Sequence, residues 1–179
     1  FQRFRALFEK SPIGIAVVNG RGEMEEVNQA LREMLGRDDS ELLGKGIRSF
    51  VAQQVRARQF ERLVAGDLDS FQSERRLITA DGSTRWGQIT TFAVRNERSG
   101  FLYALRLVED ITGRKQAEAA LRESETRFRM LFESVPVGVA LLGMDGVVQE
   151  ANPSLAHTLG RERSDLVGIQ SLALRRHAF

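Results

Sequence analysis

Few residues in this chain have the type and spacing that catalysis or metal binding needs. The chain contains two histidines, His157 and His177, and no cysteine, which excludes disulfides, thiolate metal sites and cysteine nucleophiles. The segment around His157, with Arg161 and Arg163 after it, superficially suggests a phospho-accepting helix. An internal repeat, described below, makes His157 the counterpart of Glu33 instead. We therefore do not interpret His157 as a phosphorylation site, and we interpret His177, near the end of the chain, as a surface residue.

A glycine-rich segment also lacks the spacing of a catalytic motif. Gly44-Lys45-Gly46 is not a phosphate-binding loop, because the preceding glycine is wrongly spaced and no Ser or Thr follows the lysine. No paired carboxylates and no cluster of metal ligands stand out. The sequence predicts neither a catalytic residue nor a metal site.

Composition narrows the class of protein. The 179 residues are 42% hydrophobic and 28% charged, which indicates a globular chain with room for one full domain and part of another. Lys and Arg exceed Asp and Glu only by 26 to 24, too little to indicate nucleic-acid binding. No apolar run approaches the roughly 18 residues of a membrane span, so we expect no span here and a cytoplasmic location. The chain begins with Phe1, and we interpret it as a piece of a longer protein.

The sequence contains an internal repeat with a period of about 124 residues. Without a gap, residues 4–9 fall on residues 128–133, and roughly 18 of about 41 aligned positions are identical. The matches continue through Pro12, Gly14, Gly22, Asn28, Leu35, Gly36, Arg37, Ser40 and Gly44, which fall on Pro136, Gly138, Gly146, Asn152, Leu159, Gly160, Arg161, Ser164 and Gly168. We expect a tandem array in which the second copy lacks the equivalents of residues 56–112.

The first copy has the pattern of an α+β domain. Apolar runs and turn residues predict a hairpin from strands at 13–18 and 24–27, and then strands at 71–79, 84–95 and 101–110. Helical segments are predicted at 29–35, 40–43, 47–51 and 53–65. Asn28 and Asn152 are in helix N-cap positions. One antiparallel sheet covered on one face by helices fits this order.

These elements resemble the PAS domain family of sensory modules. The likeness is carried by the following residues in register: Asn28, Leu35-Gly36, Leu43-Gly44, Asp81-Gly82-Ser83 before Arg85-Trp86, and the terminal segment Asp110-Ile111-Thr112-Gly113-Arg114-Lys115. The resemblance implies a five-stranded antiparallel sheet, helices over a ligand pocket, and a partial second PAS repeat. We place a flanking helix at 1–11, a complete PAS domain at 12–112, a signalling helix at 113–134 and the truncated repeat at 135–179.

The resemblance also implies which strand residues point into the pocket. Alternation puts Gly87, Ile89 and Thr91 on one face of their strand, and likeness to the family points that face inward. The predicted pocket comprises Arg75, Leu77, Gly87, Ile89, Thr91, Ala104, Arg106 and Val108. Phe101, Tyr103, Leu105 and Leu107 should face outward, covered by the first helix or a second subunit. An inward Arg106 needs an anion or a carbonyl, which makes it a candidate ligand for an acidic metabolite, although a rim position or a helix carboxylate is an alternative.

Cofactor expectations follow from the same resemblance. Flavin photoreceptors of the family need a reactive cysteine, so cysteinyl-flavin photochemistry is excluded. Haem-binding members need a histidine on the long helix, where residues 53–65 contain none and the ligand position falls near Val55. We predict no cofactor, which leaves a non-covalent flavin or a small metabolite open.

The segment after the last strand predicts one long charged helix. No Gly or Pro occurs between Arg114 and Pro136, and Ala117, Leu121, Ser124, Phe128 and Leu131 alternate by four and three as a heptad seam does. A seam this narrow predicts a parallel homodimer. The resemblance implies that Asp110, Ile111 and Thr112 link the last strand to this helix. Asp110 can also cap the start of the helix.

These features together predict a sensory segment without catalytic residues. We expect it to sense a small ligand or to mediate dimerisation, and to signal through the coiled-coil helix to a downstream output domain in the same protein. A sensor histidine kinase of a two-component system is the expected parent. The alternatives are an enzyme that makes or breaks cyclic di-GMP, and a ligand-free dimerisation module.

Overall fold

The computed structural model describes residues 2–53 and 58–174, with side chains from residue 5 onward. These residues form two compact units, which divide between Gln116 and Ala117. The predicted α+β class and five-stranded antiparallel sheet are confirmed. Val55, His177 and the predicted helical residues 54–57 lie outside the described residues.

The first unit is built on a sheet with strand order β2-β1-β5-β4-β3. The strands are β1 (Gly14–Val18), β2 (Met24–Val27), β3 (Ser70–Ile78), β4 (Thr84–Arg95) and β5 (Phe101–Asp110), and every pair is antiparallel. The β1–β2 turn forms because the Asn19 side chain accepts hydrogen bonds from the N–H groups of Arg21 and Glu23, while Gly22 has a φ of +86°.

The helices of this unit are α1 (Gln2–Lys10), α2 (Gln29–Leu35), α3 (Asp39–Leu42) and α4 (Arg58–Ala65), with a 3-10 turn at Ile47–Phe50. Alternating strand residues face these helices and form the core with Leu31, Leu35, Leu42 and Leu63. The first helix packs mainly against α2 rather than on the outer face of the sheet. Leu102, near the start of β5, remains 54% exposed and is therefore not covered by the first helix.

Phe101 does not face outward as the alternation predicts. Val94 pairs with Tyr103 and Arg95 pairs with Phe101, so Leu102 is an extra residue in β5. A bulge of this kind reverses the side-chain alternation beyond it. Phe101 therefore packs against the core, whereas Tyr103, Leu105 and Leu107 keep the opposite parity to the buried Ala104, Arg106 and Val108.

The second unit repeats the first hairpin and helix on a smaller scale. Helix α5 (Thr112–Ser134) leads into β6 (Ala140–Leu142) and β7 (Val148–Ala151), followed by α6 (Pro153–Leu159), α7 (Arg163–Leu166) and α8 (Ser171–Leu174). In its described residues the sheet has two strands, and the core is formed by Val148, Ala151, Ala156 and Leu166.

Candidate functional site

The first unit contains a cavity of about 520 Å³ between the sheet and α4. On the sheet side, three strands contribute lining residues: Phe71, Ser73 and Arg75 of β3, Ile89 and Thr91 of β4, and Arg106 of β5. The opposite side comes from the β1–β2 turn, the segment before α4 and α4 itself, through Gly20, Arg21, Gly22, Gly46, Ile47, Arg48, Val51, Gln53, Gln59, Phe60, Glu61, Val64 and Ala65. This volume is in the range that small-molecule sites have.

Four of the eight predicted pocket residues line this cavity, namely Arg75, Ile89, Thr91 and Arg106. The other four, Leu77, Gly87, Ala104 and Val108, are not among its lining residues. Leu77 fills the space over Gly87, where an added Cβ would lie 2.5 Å from Leu77 Cδ1 and 3.4 Å from Val108 Cγ1. The cavity therefore lies on the sheet face that the family resemblance pointed inward, but it extends along a different length of the strands.

The prediction missed the lining residues that α4 contributes and two further residues on the sheet side. Phe60 and Val64 lie one helical turn apart on α4, and Phe71 and Ser73 share the parity of Arg75 on β3. Extending the alternation along β3 could have found Phe71 and Ser73. No sequence pattern indicates that α4 packs over the central part of the sheet, so its lining residues could not be found in this way.

Arg106 is the most deeply buried charged residue of this cavity, with 4% of its surface exposed. Its Nε donates a hydrogen bond to Thr91 Oγ1 at 3.3 Å, and its Cζ lies 5.7 Å from the centre of the Phe60 ring. Among the described residues its buried Nη1 has no hydrogen-bond partner. Burial first, and then repulsion from Arg48, lowers the pKa of the guanidinium to about 10, so Arg106 remains charged at neutral pH.

The end of β5 is joined to the start of α5 by side chains from two neighbouring strands. The Asp110 carboxylate accepts a hydrogen bond from the N–H of Thr112 at 2.9 Å and pairs with Arg85 Nη1 at 2.9 Å. Thr112 Oγ1 accepts a hydrogen bond from Trp86 N–H at 2.9 Å, and the N–H of Ile111 donates to the Trp86 carbonyl at 2.8 Å. Asp110 thus accepts a hydrogen bond from the N–H of the first helical residue. In the chain, Asp110 itself lies one position before the residue that usually caps a helix.

Glu74 of β3 adds a second attachment for the first turn of α5. Its carboxylate pairs with Arg114 at 2.8 Å and Lys115 at 2.6 Å, and Lys115 Nζ lies 5.4 Å from the Trp86 ring centre. We call Glu74, Arg85, Trp86, Asp110 and Thr112 the strand–helix joint. Glu74 was missed by the sequence reasoning, because its pairing depends on the register of β3 in the folded sheet.

Two carboxyl groups of the joint have lowered pKa values. Hydrogen bonds from Lys115 and then Arg114 lower the pKa of Glu74. For Asp110, burial raises the pKa, but the hydrogen bonds from Thr112 and Arg85 outweigh it and leave the pKa below its usual value. Both groups are therefore ionised at neutral pH and hold their cationic partners.

Comparison with known families decides the kind of domain that carries this cavity and joint. A family model described as "PAS fold" matches residues 8–116, and a second, described as "PAS domain", matches residues 126–178. The chain belongs to the PAS family. The predicted resemblance is confirmed.

Relatives of the chain occur in multidomain signalling proteins. It is 27% identical to the probable diguanylate cyclase DgcE of Escherichia coli over 139 residues, 76% of this chain, and 22% identical to sporulation kinase E of Bacillus subtilis over 165 residues, 92% of this chain. The chain spans only 13% and 22% of the lengths of these two proteins. Among solved structures, the PAS domain of an HTR-like protein from Haloarcula marismortui is 31% identical with a TM-score of 0.52, covering 62% of this chain and 90% of that one.

Both PAS copies place an asparagine at the same helix N-cap. Asn28 is fully buried, and its Oδ1 accepts hydrogen bonds from the N–H groups of Ile15 and Leu31 while its Nδ2 donates to the carbonyls of Phe8 and Ile13. Asn152 repeats this arrangement, accepting from Val139 and Leu155 and donating to Val137. One side chain thereby joins helix, strand and preceding segment in each copy.

The seam residues predicted on α5, Ala117, Leu121, Ser124, Phe128 and Leu131, are all exposed in the single chain. Leu121 is 62% and Leu131 64% exposed, while Phe128 stacks on the buried Phe132 with ring centres 5.6 Å apart. Glu123 and Arg127, one helical turn apart, form an ion pair at 2.8 Å. The apolar side chains of the seam are available to a partner.

The other candidate motifs occupy structural positions. His157 is exposed on α6, and Gly44-Lys45-Gly46 lies in a loop whose backbone pairs with β2 through Met24. Within residues 2–53 and 58–174, no group of His, Cys, Asp or Glu side chains could hold a metal ion. In the same residues, no helix is long and apolar enough to span a membrane.

Proposed function

We propose that this PAS segment senses a small molecule in the cavity of its first domain and transmits the signal through α5 to an output domain of the same protein. The observation that carries the proposal is the course of β5. This strand contributes Arg106 to the cavity and, four residues later, Asp110 to the strand–helix joint. A shift of β5 on ligand binding would therefore reach the start of α5 directly.

The open cavity supports sensing over a purely structural role. A ligand-free dimerisation module needs its interior filled by side chains, whereas here about 520 Å³ lies between the sheet and α4. A ligand can shift output only through its different affinities for two states of the protein. The joint supplies contacts that two such states could make or lose.

The output domain is proposed to be either a histidine kinase or a diguanylate cyclase. Of the two relatives described above, one is named a probable diguanylate cyclase and the other a sporulation kinase, and the cyclase is the more similar of the two over its shorter match. Dimerisation through the seam of α5 fits both, because a parallel coiled coil can bring two output domains together.

The parent protein provides the test. Its ATP-dependent autophosphorylation and its formation of cyclic di-GMP from GTP should be assayed for the wild type, for Arg106→Gln in the cavity and for Asp110→Ala in the joint. We expect one of the two activities, and expect both variants to fix it at one level. If both variants retain the full wild-type range of output, this domain is not the sensory input.

A further inference from the structure

The cavity contains a positive charge that the protein itself does not neutralise. A guanidinium has five N–H donors, and leaving any of them buried without an acceptor costs free energy. The Nε of Arg106 donates a hydrogen bond to Thr91. Its Nη1 is buried and has no acceptor among the described residues. In the same part of the chain, no carboxylate forms a salt bridge with Arg106.

The surrounding charges increase this imbalance. Arg21, Arg48 and Arg75 also line the cavity, and the described lining includes one acidic residue, Glu61. Arg48 is close enough to repel the charge of Arg106, and this repulsion contributes to the lowered pKa of Arg106. A cavity with several cations around a desolvated guanidinium attracts an anion, which would accept the free donor and offset the repulsion.

Much of the remaining lining is apolar or aromatic, alongside the polar side chains of Gln53, Gln59, Ser73 and Thr91. Phe60 and Val64 of α4 lie across from Phe71 of β3 and Ile89 of β4. Such side chains bind the body of a small organic molecule, whereas an inorganic anion would leave them uncovered. The cavity therefore combines a buried cation, without a counter-ion in the described part of the chain, with apolar and aromatic side chains.

We propose that this cavity binds a small organic anion, whose carboxylate or phosphate group pairs with Arg106 and Arg48 and whose apolar body packs against Phe60, Val64 and Phe71. The inference rests on the proposed sensory function and names the class of ligand. Because Arg106 belongs to β5, an anion drawn to its guanidinium acts on the strand that ends at the joint.

Calorimetric titration of the full chain with three probes of similar shape tests the proposal. Benzoate and phenyl phosphate carry the two head groups, and benzamide is the neutral analogue of benzoate. We expect at least one anion to bind about tenfold or more tightly than benzamide, since a charge-assisted hydrogen bond distinguishes them. Whichever anion binds more tightly identifies the head group.

Variants assign the binding to the cavity. Arg106→Gln should weaken binding of the anion about tenfold or more and leave benzamide unaffected. Arg48→Gln, at an exposed position, gives a second reading if the buried substitution unfolds the domain. Arg76→Gln is the matched control, because Arg76 is an exposed neighbour of Arg75 on β3, outside the lining of the cavity.

The possible failures are distinguishable. Equal binding of benzoate and benzamide, or anion binding that neither Arg106→Gln nor Arg48→Gln weakens, would overturn the anion assignment. Absence of binding by all three probes at millimolar concentration would do the same. The sensory function would survive these results if native mass spectrometry finds a neutral molecule bound. It would fail with them if no molecule is bound and both Arg106→Gln and Asp110→Ala retain the full wild-type range of output.

Discussion

Asp110 connects two strands and a helix through one carboxylate. It accepts the N–H of the first residue of α5 and pairs with Arg85 of β4, while its own strand carries Arg106 at the cavity. A side chain in this position can couple the sheet to the helix without touching the ligand. Its removal should therefore separate binding from signalling.

Asp110→Ala should destabilise the start of α5 locally by about 0.5–2 kcal/mol, the usual cost of a lost cap. The sheet should remain folded, and affinity for the cavity ligand should be nearly unchanged. Hydrogen exchange at residues 112–115 should accelerate, while exchange in β4 and β5 should not. Asp110→Asn, which keeps an acceptor oxygen, is the control. Normal switching of output by Asp110→Ala would show that the joint does not transmit the signal.

Asn28 is the second residue whose substitution should have a large effect, in this case on the stability of the domain. Asn28→Ala would remove four hydrogen bonds, two of them buried, to the N–H groups of Ile15 and Leu31 and the carbonyls of Phe8 and Ile13, so the free energy of unfolding should fall by at least about 2 kcal/mol. Urea denaturation measures this loss. Gln29→Ala, at the adjacent exposed position, should change stability little, and equal effects of the two variants would contradict the role of Asn28.

At the scale of elements, α5 has one end attached to the sheet and an exposed apolar seam farther along. Its first turn is attached through Glu74, Asp110 and Trp86, while Leu121, Phe128 and Leu131 remain exposed in the single chain. A helix of this composition is only marginally stable in water when it is isolated. Burial of each seam leucine or phenylalanine against a partner would add about 1.5–3 kcal/mol to the stability of the helix.

Leu121→Glu should abolish dimerisation through α5, because two carboxylates would replace two leucines in the seam. We expect the wild type to sediment as a dimer at tens of micromolar and this variant as a monomer. Ala119→Glu places the same charge at an exposed position two residues away, outside the seam, and should leave the dimer intact. A monomeric wild type, or a Leu121→Glu dimer that still pairs through this helix, would refute the seam.

The joint should also loosen in acid. A carboxylate with a lowered pKa in the folded state contributes stability above its unfolded pKa and loses it as the pH falls through the lower folded pKa. For Glu74 the ordinary value is 4.5, so attachment of Lys115 should be lost below pH 4.5. The fluorescence of Trp86, the single tryptophan, should report this loss because Lys115 lies over its ring.

Glu74→Gln provides the matched comparison for this titration. The variant should show at pH 7 the emission that the wild type reaches in acid, whereas Glu97→Gln, in the β4–β5 turn, should behave as wild type. A fluorescence transition centred above pH 4.5, or one unchanged in Glu74→Gln, would contradict the assignment to Glu74.

At the scale of the whole molecule, the two PAS copies differ in how completely their sheets are paired. In the first unit β1 pairs with both β2 and β5, whereas in the described part of the second unit β6 pairs with β7. Two-stranded sheets are marginally stable, and the core of the second unit is correspondingly small. The two copies should therefore differ in stability.

Hydrogen exchange should show residues 137–174 opening far more readily than residues 14–112. The exchange rates of β6 and β7 can be compared directly with those of their counterparts β1 and β2, which share the repeat. Comparable protection in both hairpins would contradict this expectation, unless a partner chain pairs with β6.

Much of this architecture could be predicted from the sequence, because its signals are local. The bounds of β2, β4 and β5 agree with the predicted strands, and α2 and α4 end at the predicted residues, Leu35 and Ala65. The repeat predicted that Asn28 and Asn152 would occupy equivalent positions, and they do so in their hydrogen bonds as well. Turn residues, helix caps and strand alternation act within a few residues, so they can be identified before the chain folds.

The position of the cavity and the partners of the joint depended on contacts between distant segments. Leu77 fills the space over Gly87, so the cavity lies toward Thr91, and a bulge at Leu102 turns Phe101 inward. Glu74 meets Lys115 only because β3, β4 and β5 pair in one particular register. Such contacts join residues tens of positions apart, and they are decided by how side chains fill the space between packed elements, which strand periodicity does not specify.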